Sequence, residues 1–178
     1  MKVAVAFDSI HGNTARVAEG IAKEARALGH SVEMIPLRNA RPNSVDAQLL
    51  FVGGPTRFGR MTHRVSAFVK RLDRPYWAEH PVVAFDTFGP TGDAPESEWA
   101  NVNWLVPGAA GRIQELARTR GLLVLPQSIR ARVTGLKGPL APEALESTHQ
   151  SSREILLAAT ASPKAPTAPT TGGAPIPA

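Results

Sequence analysis

Short apolar runs rich in β-branched residues alternate with segments of helical periodicity along most of the chain. Apolar residues three or four positions apart fill the intervals between the runs and predict four or five helices. Strands that alternate with helices favour a parallel sheet covered on both faces, which is a doubly wound α/β domain. The runs predict buried strands at Val3–Phe7, Val32–Leu37, Leu49–Gly53, Val82–Phe88 and Leu122–Leu125.

Local signals place several helix ends. Gly29 is expected just beyond the end of the first helix, and Thr62 is expected as the N-cap of the next long one. The last helix is expected to begin near Pro142. The connection between the second and third strands is short, so its helix is expected to be absent or a single turn. The domain is predicted to span residues 1–160, and residues 161–178, rich in Pro, Ala and Thr, are predicted to be a disordered tail.

Composition excludes several kinds of chemistry. The 178 residues include no cysteine, which excludes disulfides, thiol nucleophiles and iron–sulfur ligation through cysteine. The five histidines are dispersed, so no metal site is expected. The formal net charge of +5 would suit an anionic partner. Nucleic acid is not expected, because aromatic residues are not interleaved with the basic ones. We expect a cytoplasmic protein, since no secretory signal or apolar run of about 20 residues is present.

Two predicted strand-to-helix loops have compositions suited to ligand binding. The loop after the first strand contains hydroxyls, an amide and a glycine, and it leads directly into a helix, whose N-terminus stabilises anions. Neither the dinucleotide nor the nucleoside-triphosphate glycine signature is present in it. The loop after the third strand carries Phe58, which could present a flat apolar face to a planar ligand. The two loops are Ser9-Ile10-His11-Gly12-Asn13-Thr14 and Gly53-Gly54-Pro55-Thr56-Arg57-Phe58-Gly59-Arg60-Met61.

A third loop at the end of the fourth strand is predicted from Asp86 to Trp99, and it contains Thr87-Phe88-Gly89 near its start. The charged residues in and next to it are all acidic, and they are interpreted as an ordinary solvated acidic loop rather than as paired catalytic carboxylates. No catalytic side chain is predicted. The acidic residues concerned are Asp86, Asp93, Glu96 and Glu98.

The three loops together resemble those of the flavodoxin family. Ser9 to Thr14 is similar to the family's phosphate loop, and the Gly-Pro-Thr-Arg-Phe-Gly-Arg-Met loop is similar to that of flavodoxin-like quinone reductases. The segment from Thr134 to Leu140 also resembles the approach to the last helix in some members. The resemblance implies a three-layer fold with a five-stranded parallel sheet of order 2-1-3-4-5, and flavin mononucleotide (FMN) as the cofactor.

The resemblance also implies which residues contact the cofactor. The first loop would hold the phosphate, the second would line one side of the flavin ring, and the third would approach the other side and its polar edge. The implied cofactor-binding residues are Ser9, Ile10, His11, Gly12, Asn13, Thr14, Pro55, Thr56, Arg57, Phe58, Gly59, Thr87, Phe88, Gly89 and Gly92.

The resemblance implies electron transfer through a bound flavin, in exchange with a redox partner protein or a small acceptor. A one-electron carrier and an NAD(P)H-dependent reductase of an acceptor such as a quinone both remain open. The alternative is a flavodoxin-like module without flavin that acts in binding or regulation. A phosphoacceptor receiver domain is disfavoured, because the third strand ends in Gly53-Gly54-Pro55 rather than in an aspartate. The sequence leaves the oligomeric state undetermined.

Overall fold

Five parallel strands form one sheet at the centre of the fold. The computed structural model describes residues 1–39, 45–89, 106–135 and 137–161. Neighbouring strands are all parallel, in the order β2-β1-β3-β4-β5. The expected strand number, direction and order are therefore confirmed. The strands are β1 (Lys2–Phe7), β2 (Ser31–Pro36), β3 (Leu49–Pro55), β4 (Val82–Phe88) and β5 (Val124–Arg132).

Helices cover both faces of the sheet, because successive strand residues point to opposite sides. In β1, Val3 and Val5 pack in the layer that includes α1 and α5, while Ala4 and Ala6 pack in the layer that includes α2 and α4. All four residues are fully buried, as expected for a central parallel strand. The helices are α1 (Asn13–Ala27), α2 (His63–Arg71), α3 (Arg74–Trp77), α4 (Gly108–Thr119) and α5 (Ala144–Ala161).

Most predicted helix ends agree with the structure. The Thr62 hydroxyl accepts a hydrogen bond from the Val65 amide at 3.4 Å, so Thr62 caps α2 as predicted. Gly29 follows α1 with a φ of 79°, the left-handed conformation expected just past a helix. The described part of the β2–β3 connection contains no helix, and residues 40–44 lie outside the described ranges. The predicted tail from residue 162 onward also lies outside them.

One predicted strand was wrong in detail, and one short helix was not predicted. The last strand was expected at Leu122–Leu125, but β5 begins two residues later and continues to Arg132. Its central residues are polar or proline, because β5 is an edge strand with few buried positions, so the apolar run ends well before the strand does. The one-turn helix α3 was not predicted, although Pro75 suits the first turn of a helix.

Tyr76 in α3 allows a direct test of packing at this end of the α2–α4 layer. Its hydroxyl donates to the Ala47 carbonyl at 3.0 Å, and its ring stacks on His80 with centroids 4.0 Å apart. Burial, and then the negative charge of Asp46, raise the pKa of the phenol above its ordinary value of 10.0. The native state thus favours the neutral phenol, and this contribution to stability is lost as the pH rises through the raised pKa.

Tyr76 is the only tyrosine in the chain, so tyrosinate absorbance reports on it alone. We expect a titration midpoint above 10.0 for the folded protein and near that value in concentrated denaturant. Tyr76→Phe should remove the absorbance change and weaken the loss of stability at alkaline pH. A midpoint that is the same in folded and denatured protein would contradict the packing described here.

Candidate functional site

A cleft opens at the carboxyl ends of β1, β3 and β4, where three loops lie side by side. Parallel strands place their ligand-binding loops at this edge of a sheet. The cleft has a volume of about 150 Å³. Its lining residues come from all three loops and from the segment after β5: Ile10, His11, Asn13, Thr14, Pro55, Thr56, Arg57, Phe58, Thr87, Phe88, Gly89, Val133 and Gly135.

The first loop ends in a helix N-terminus without a side-chain cap. Gly12 occupies the N-cap position of α1 with a left-handed φ of 88°, and a Cβ built there would have no heavy atom within 4 Å. The Ala15 amide donates to the Ser9 hydroxyl at 3.2 Å. Within the described residues, no acceptor is found for the backbone amides of Asn13 and Thr14. Open space in front of such amides is a geometry that suits a phosphate group.

Polar contacts hold the start of α1 against the neighbouring segments of the cleft. The Asn13 side-chain amide donates to the Gly138 carbonyl at 2.6 Å, and the Thr14 and Thr87 hydroxyls lie 2.8 Å apart in a buried hydrogen bond. The first loop is therefore joined both to the third loop and to the segment after β5. Such links hold the amides of α1 in one position relative to the rest of the cleft.

The second loop forms a tight turn that presents an aromatic ring. Arg57 and Arg60 exchange two backbone hydrogen bonds of 2.9 Å, and the two residues between them, Phe58 and Gly59, have φ of 48° and 73°. Positive φ at both central positions defines a type I′ turn, which glycine tolerates and phenylalanine rarely adopts. Phe58 is 76% exposed at the cleft. A strained residue that keeps an aromatic side chain exposed at a cleft suggests a role in ligand contact.

The third loop begins close to the end of β5. A Cβ on Gly89 would meet the Val133 side chain and, at 2.7 Å, the Val133 carbonyl oxygen, so only glycine fits this approach without a shift. The Thr56 amide donates to the Thr87 carbonyl at 2.8 Å, which joins the second and third loops. Arg130 lies over the Phe88 ring at 4.4 Å, a cation–π arrangement.

A buried ionic network supports the cleft from below. Asp86 is fully buried in β4, and its two carboxylate oxygens accept from Arg130 Nε at 3.0 Å and Nη2 at 3.2 Å. Thr56 Oγ1 donates to the same carboxylate at 2.8 Å, as does the Ala110 amide at 3.1 Å, and the Ala109 amide donates to Thr56 Oγ1 at 2.7 Å. Asp86 thus caps the N-terminus of α4 and fixes Thr56, a residue of the cleft.

The interpretation of Asp86 as part of a solvated acidic loop was therefore wrong. The carboxylate lies inside a central strand, and its desolvation is compensated by the guanidinium of Arg130, the Thr56 hydroxyl and the Ala110 amide of α4. Arg130 is 44 positions further along the chain and comes from an edge strand. Proximity of this kind depends on strand pairing, which aligns Asp86 with Arg130 in the β4–β5 register.

Most of the predicted cofactor-binding residues lie together in the cleft. Eleven of them line it, whereas Ser9, Gly12 and Gly59 belong to the same loops without lining it, and Gly92 lies outside the described residues. Val133 and Gly135 line the cleft and were not predicted as site residues. The similarity of Thr134–Leu140 to a segment of other family members pointed to this region without assigning it a role.

The fold and the cleft define a class of α/β protein that binds a ligand at the carboxyl edge of a 2-1-3-4-5 sheet. The chain belongs to the flavodoxin family: a family model described as a flavodoxin domain matches residues 4–127. Membership of this family indicates a flavin-binding redox protein. No curated protein sequence matches the chain.

Solved structures share the fold at low sequence identity. A flavodoxin from the domain Archaea is 19% identical, with a TM-score of 0.66 over 90% of this chain and 99% of that one. Flavodoxin 1 from Bacillus cereus is 17% identical, with a TM-score of 0.65 over 88% and 98% of the two chains. An NADH:FMN oxidoreductase, EMOB, in its apo form is 16% identical, with a TM-score of 0.63 over 92% of each chain.

The residues present at the cleft fit a flavin that carries a phosphate. The open space at Gly12 and the amides of Asn13 and Thr14 suit the phosphate, while the exposed Phe58 ring suits a planar heterocycle. Asp8, which precedes the first loop, is buried, and its Oδ1 lies 3.5 Å from Arg64 Nη1. The negative charge of Asp8 is therefore paired with that of an arginine in α2, which has the opposite sign. No helix among the described residues is long and apolar enough to span a membrane.

Proposed function

We propose that this protein binds FMN in the cleft between the three loops and acts as a redox protein through it. The single observation that carries the proposal is that one cleft of a flavodoxin domain contains both the Asn13 and Thr14 amides, which have no acceptor within the described part of the chain, and the exposed ring of Phe58. A bound flavin supplies reversible uptake and release of electrons. The side chains of this chain then serve to bind and orient it.

Each loop has a distinct part in the proposal. The first loop holds the phosphate through the Asn13 and Thr14 amides and the Ser9 hydroxyl, with Gly12 leaving room for it. The second loop covers one side of the ring with Phe58, beside Arg57. The third loop, with Thr87 and Gly89, faces the opposite side. The hydrogen bonds between the Thr14 and Thr87 hydroxyls and from Thr56 to Thr87 keep the loops in register.

Titration of the purified protein with FMN tests the proposal. We expect a shift of the flavin absorbance bands, quenching of flavin fluorescence and a Kd of about 1 µM or lower, equivalent to about −8 kcal/mol. Riboflavin, which lacks the phosphate, should bind at least about 100-fold more weakly, a difference of about 2.7 kcal/mol. Absence of FMN uptake would overturn the proposal and favour a flavodoxin-like module that works without flavin.

The proposal extends to the molecules that donate electrons to the flavin and accept electrons from it. The second loop resembles that of flavodoxin-like quinone reductases, and one solved neighbour is named an NADH:FMN oxidoreductase. We therefore include NAD(P)H as a candidate reductant and a quinone as a candidate small acceptor, with a redox partner protein as the other possibility. Oxidation of NADH or NADPH by the FMN-loaded protein, with and without a quinone, separates these two routes.

A further inference from the structure

A cluster of exposed basic residues lies next to the cleft. We call it the arginine face, and it continues from the turn at Phe58 onto α2 and the end of β2. No aspartate or glutamate occurs between residues 57 and 71. Asp8, the acidic residue that contacts Arg64, is itself buried. The face consists of the exposed residues Arg38, Arg57, Arg60, His63, Arg64 and Arg71.

A notch of about 250 Å³ lies within the arginine face. Three arginines and a histidine line it, above a floor that includes Leu37, Ala67 and Phe68; the basic residues are Arg38, His63, Arg64 and Arg71. A recess of this size accommodates a side chain of another molecule. Guanidinium groups arranged around it match a carboxylate, with which arginine forms paired hydrogen bonds.

The face meets the cleft at Phe58. Arg57 lines the cleft, and its partner in the type I′ turn, Arg60, comes three residues before the first residue of α2. An exposed aromatic ring surrounded by charged residues is the usual anatomy of a protein interface, with an apolar anchor and a polar rim. A molecule docked on the arginine face would thus cover Phe58 and stand beside whatever ligand the cleft holds.

We infer that the arginine face is the docking surface for an acidic redox protein, which exchanges electrons with the flavin. This inference rests on the proposed function. Electron exchange requires the partner's redox group to come close to the flavin, and this surface adjoins the cleft. Complementary charge accelerates association and orients the partner, and an acidic side chain enters the notch between Arg38 and Arg71.

A protein partner fits this surface better than a nucleic acid does. A groove that binds single strands presents a series of aromatic rings along a basic track, on which successive bases stack. Phe58 is the one exposed aromatic residue in the described part of the chain, and it lies at one border of the face rather than along it.

Charge reversal at three positions tests the inference. The variant Arg38→Glu, Arg60→Glu, Arg71→Glu changes exposed side chains of the arginine face and leaves the cleft-lining residues intact. The probes are a strongly acidic plant-type [2Fe–2S] ferredoxin and the basic protein cytochrome c, measured by calorimetry at low ionic strength. We expect ferredoxin to bind the unmodified protein, at least about tenfold more weakly in the variant, and progressively less as salt is added. Cytochrome c should not bind the unmodified protein.

A matched control distinguishes an effect of the arginine face from an effect of the protein's net charge. Lys23→Glu, Arg26→Glu, Arg118→Glu produces the same net charge, but these exposed residues lie in the later halves of α1 and α4, toward the opposite edge of the sheet. Ferredoxin should bind this control clearly more tightly than the face variant. Equal losses in both variants, or no ferredoxin binding to the unmodified protein, would overturn the inference. Binding of an unrelated oligonucleotide in place of ferredoxin would overturn it in favour of a nucleic-acid surface.

FMN titration of the unmodified protein and of the two triple variants distinguishes failure of the proposed function from failure of the docking inference. None of the six substituted positions lines the cleft, so FMN affinity should change little in either variant. Failure of the unmodified protein to bind FMN would reject the proposed function, whereas FMN binding without ferredoxin binding rejects only the docking surface.

Discussion

Gly12→Asp should weaken FMN binding at least about 100-fold while leaving the protein folded. The new carboxylate would stand at the N-cap of α1, next to the proposed phosphate position. Two unit charges about 4 Å apart repel by about 1 kcal/mol in water and by about 4 kcal/mol near a protein surface. A 100-fold loss of affinity corresponds to about 2.7 kcal/mol, which lies between these two values. The carboxylate would also compete with the phosphate for the Asn13 and Thr14 amides of α1. Fluorescence titration with FMN measures the change.

Two substitutions control this experiment. Gly12→Asn introduces a side chain of nearly the same size as aspartate but without its charge. Asparagine also tolerates a left-handed φ, so this variant should weaken FMN binding by less than about tenfold. Gly29→Asp places the same carboxylate at the other end of α1, where the glycine also has positive φ and open surroundings. FMN affinity should be unchanged there. Equal weakening by the asparagine and aspartate variants of Gly12 would show that shape rather than charge governs binding at this position.

Asp86→Ala should destabilise the fold by about 3–5 kcal/mol, the usual cost of removing one partner of a buried ion pair. Arg130 would lose its buried carboxylate partner, and the Ala110 amide would lose its acceptor at the start of α4. Since domains of this kind are stable by about 5–15 kcal/mol, the loss is a large fraction of the total. Denaturant unfolding followed by the fluorescence of the tryptophans measures it.

Glu115→Ala provides the comparison on the same helix. Glu115 pairs with Arg112 at 3.0 Å on the surface of α4, with both side chains about half exposed. A surface pair of this kind contributes less than about 1 kcal/mol. If Asp86→Ala were no more destabilising than Glu115→Ala, the buried network would not be holding α4 and Thr56 in place.

The sheet was predictable from sequence because its central strands are buried on both faces. The predicted strand Val82–Phe88, which opens on four apolar residues, coincides with β4 to the residue. The same rule fails at the edge of the sheet, where β5 alternates buried residues such as Ile129 and Ala131 with half-buried ones. Half-exposed strands have no continuous run, so the end of β5 could not be located.

The loops of the cleft were predictable for a different reason. Gly12 and Phe58 belong to short segments whose composition is itself distinctive, and each segment directly follows a predicted strand. Parallel strands bring such segments to one edge, so their proximity follows from the order of the strands. The contribution of Val133 and Gly135 follows only from the way the chain returns past Gly89 after β5.

The sequence by itself determined the α/β class, the strand-to-helix loops and the chemistry that they offer, since periodicity and local composition are properties of neighbouring residues. Only the tertiary structure decided that Asp86 is buried and paired with Arg130, and that Arg38 lies beside Arg64 and Arg71 in one notch. These partners are far apart along the chain. Their contacts depend on strand register and helix packing, which many side chains set together and no short segment encodes.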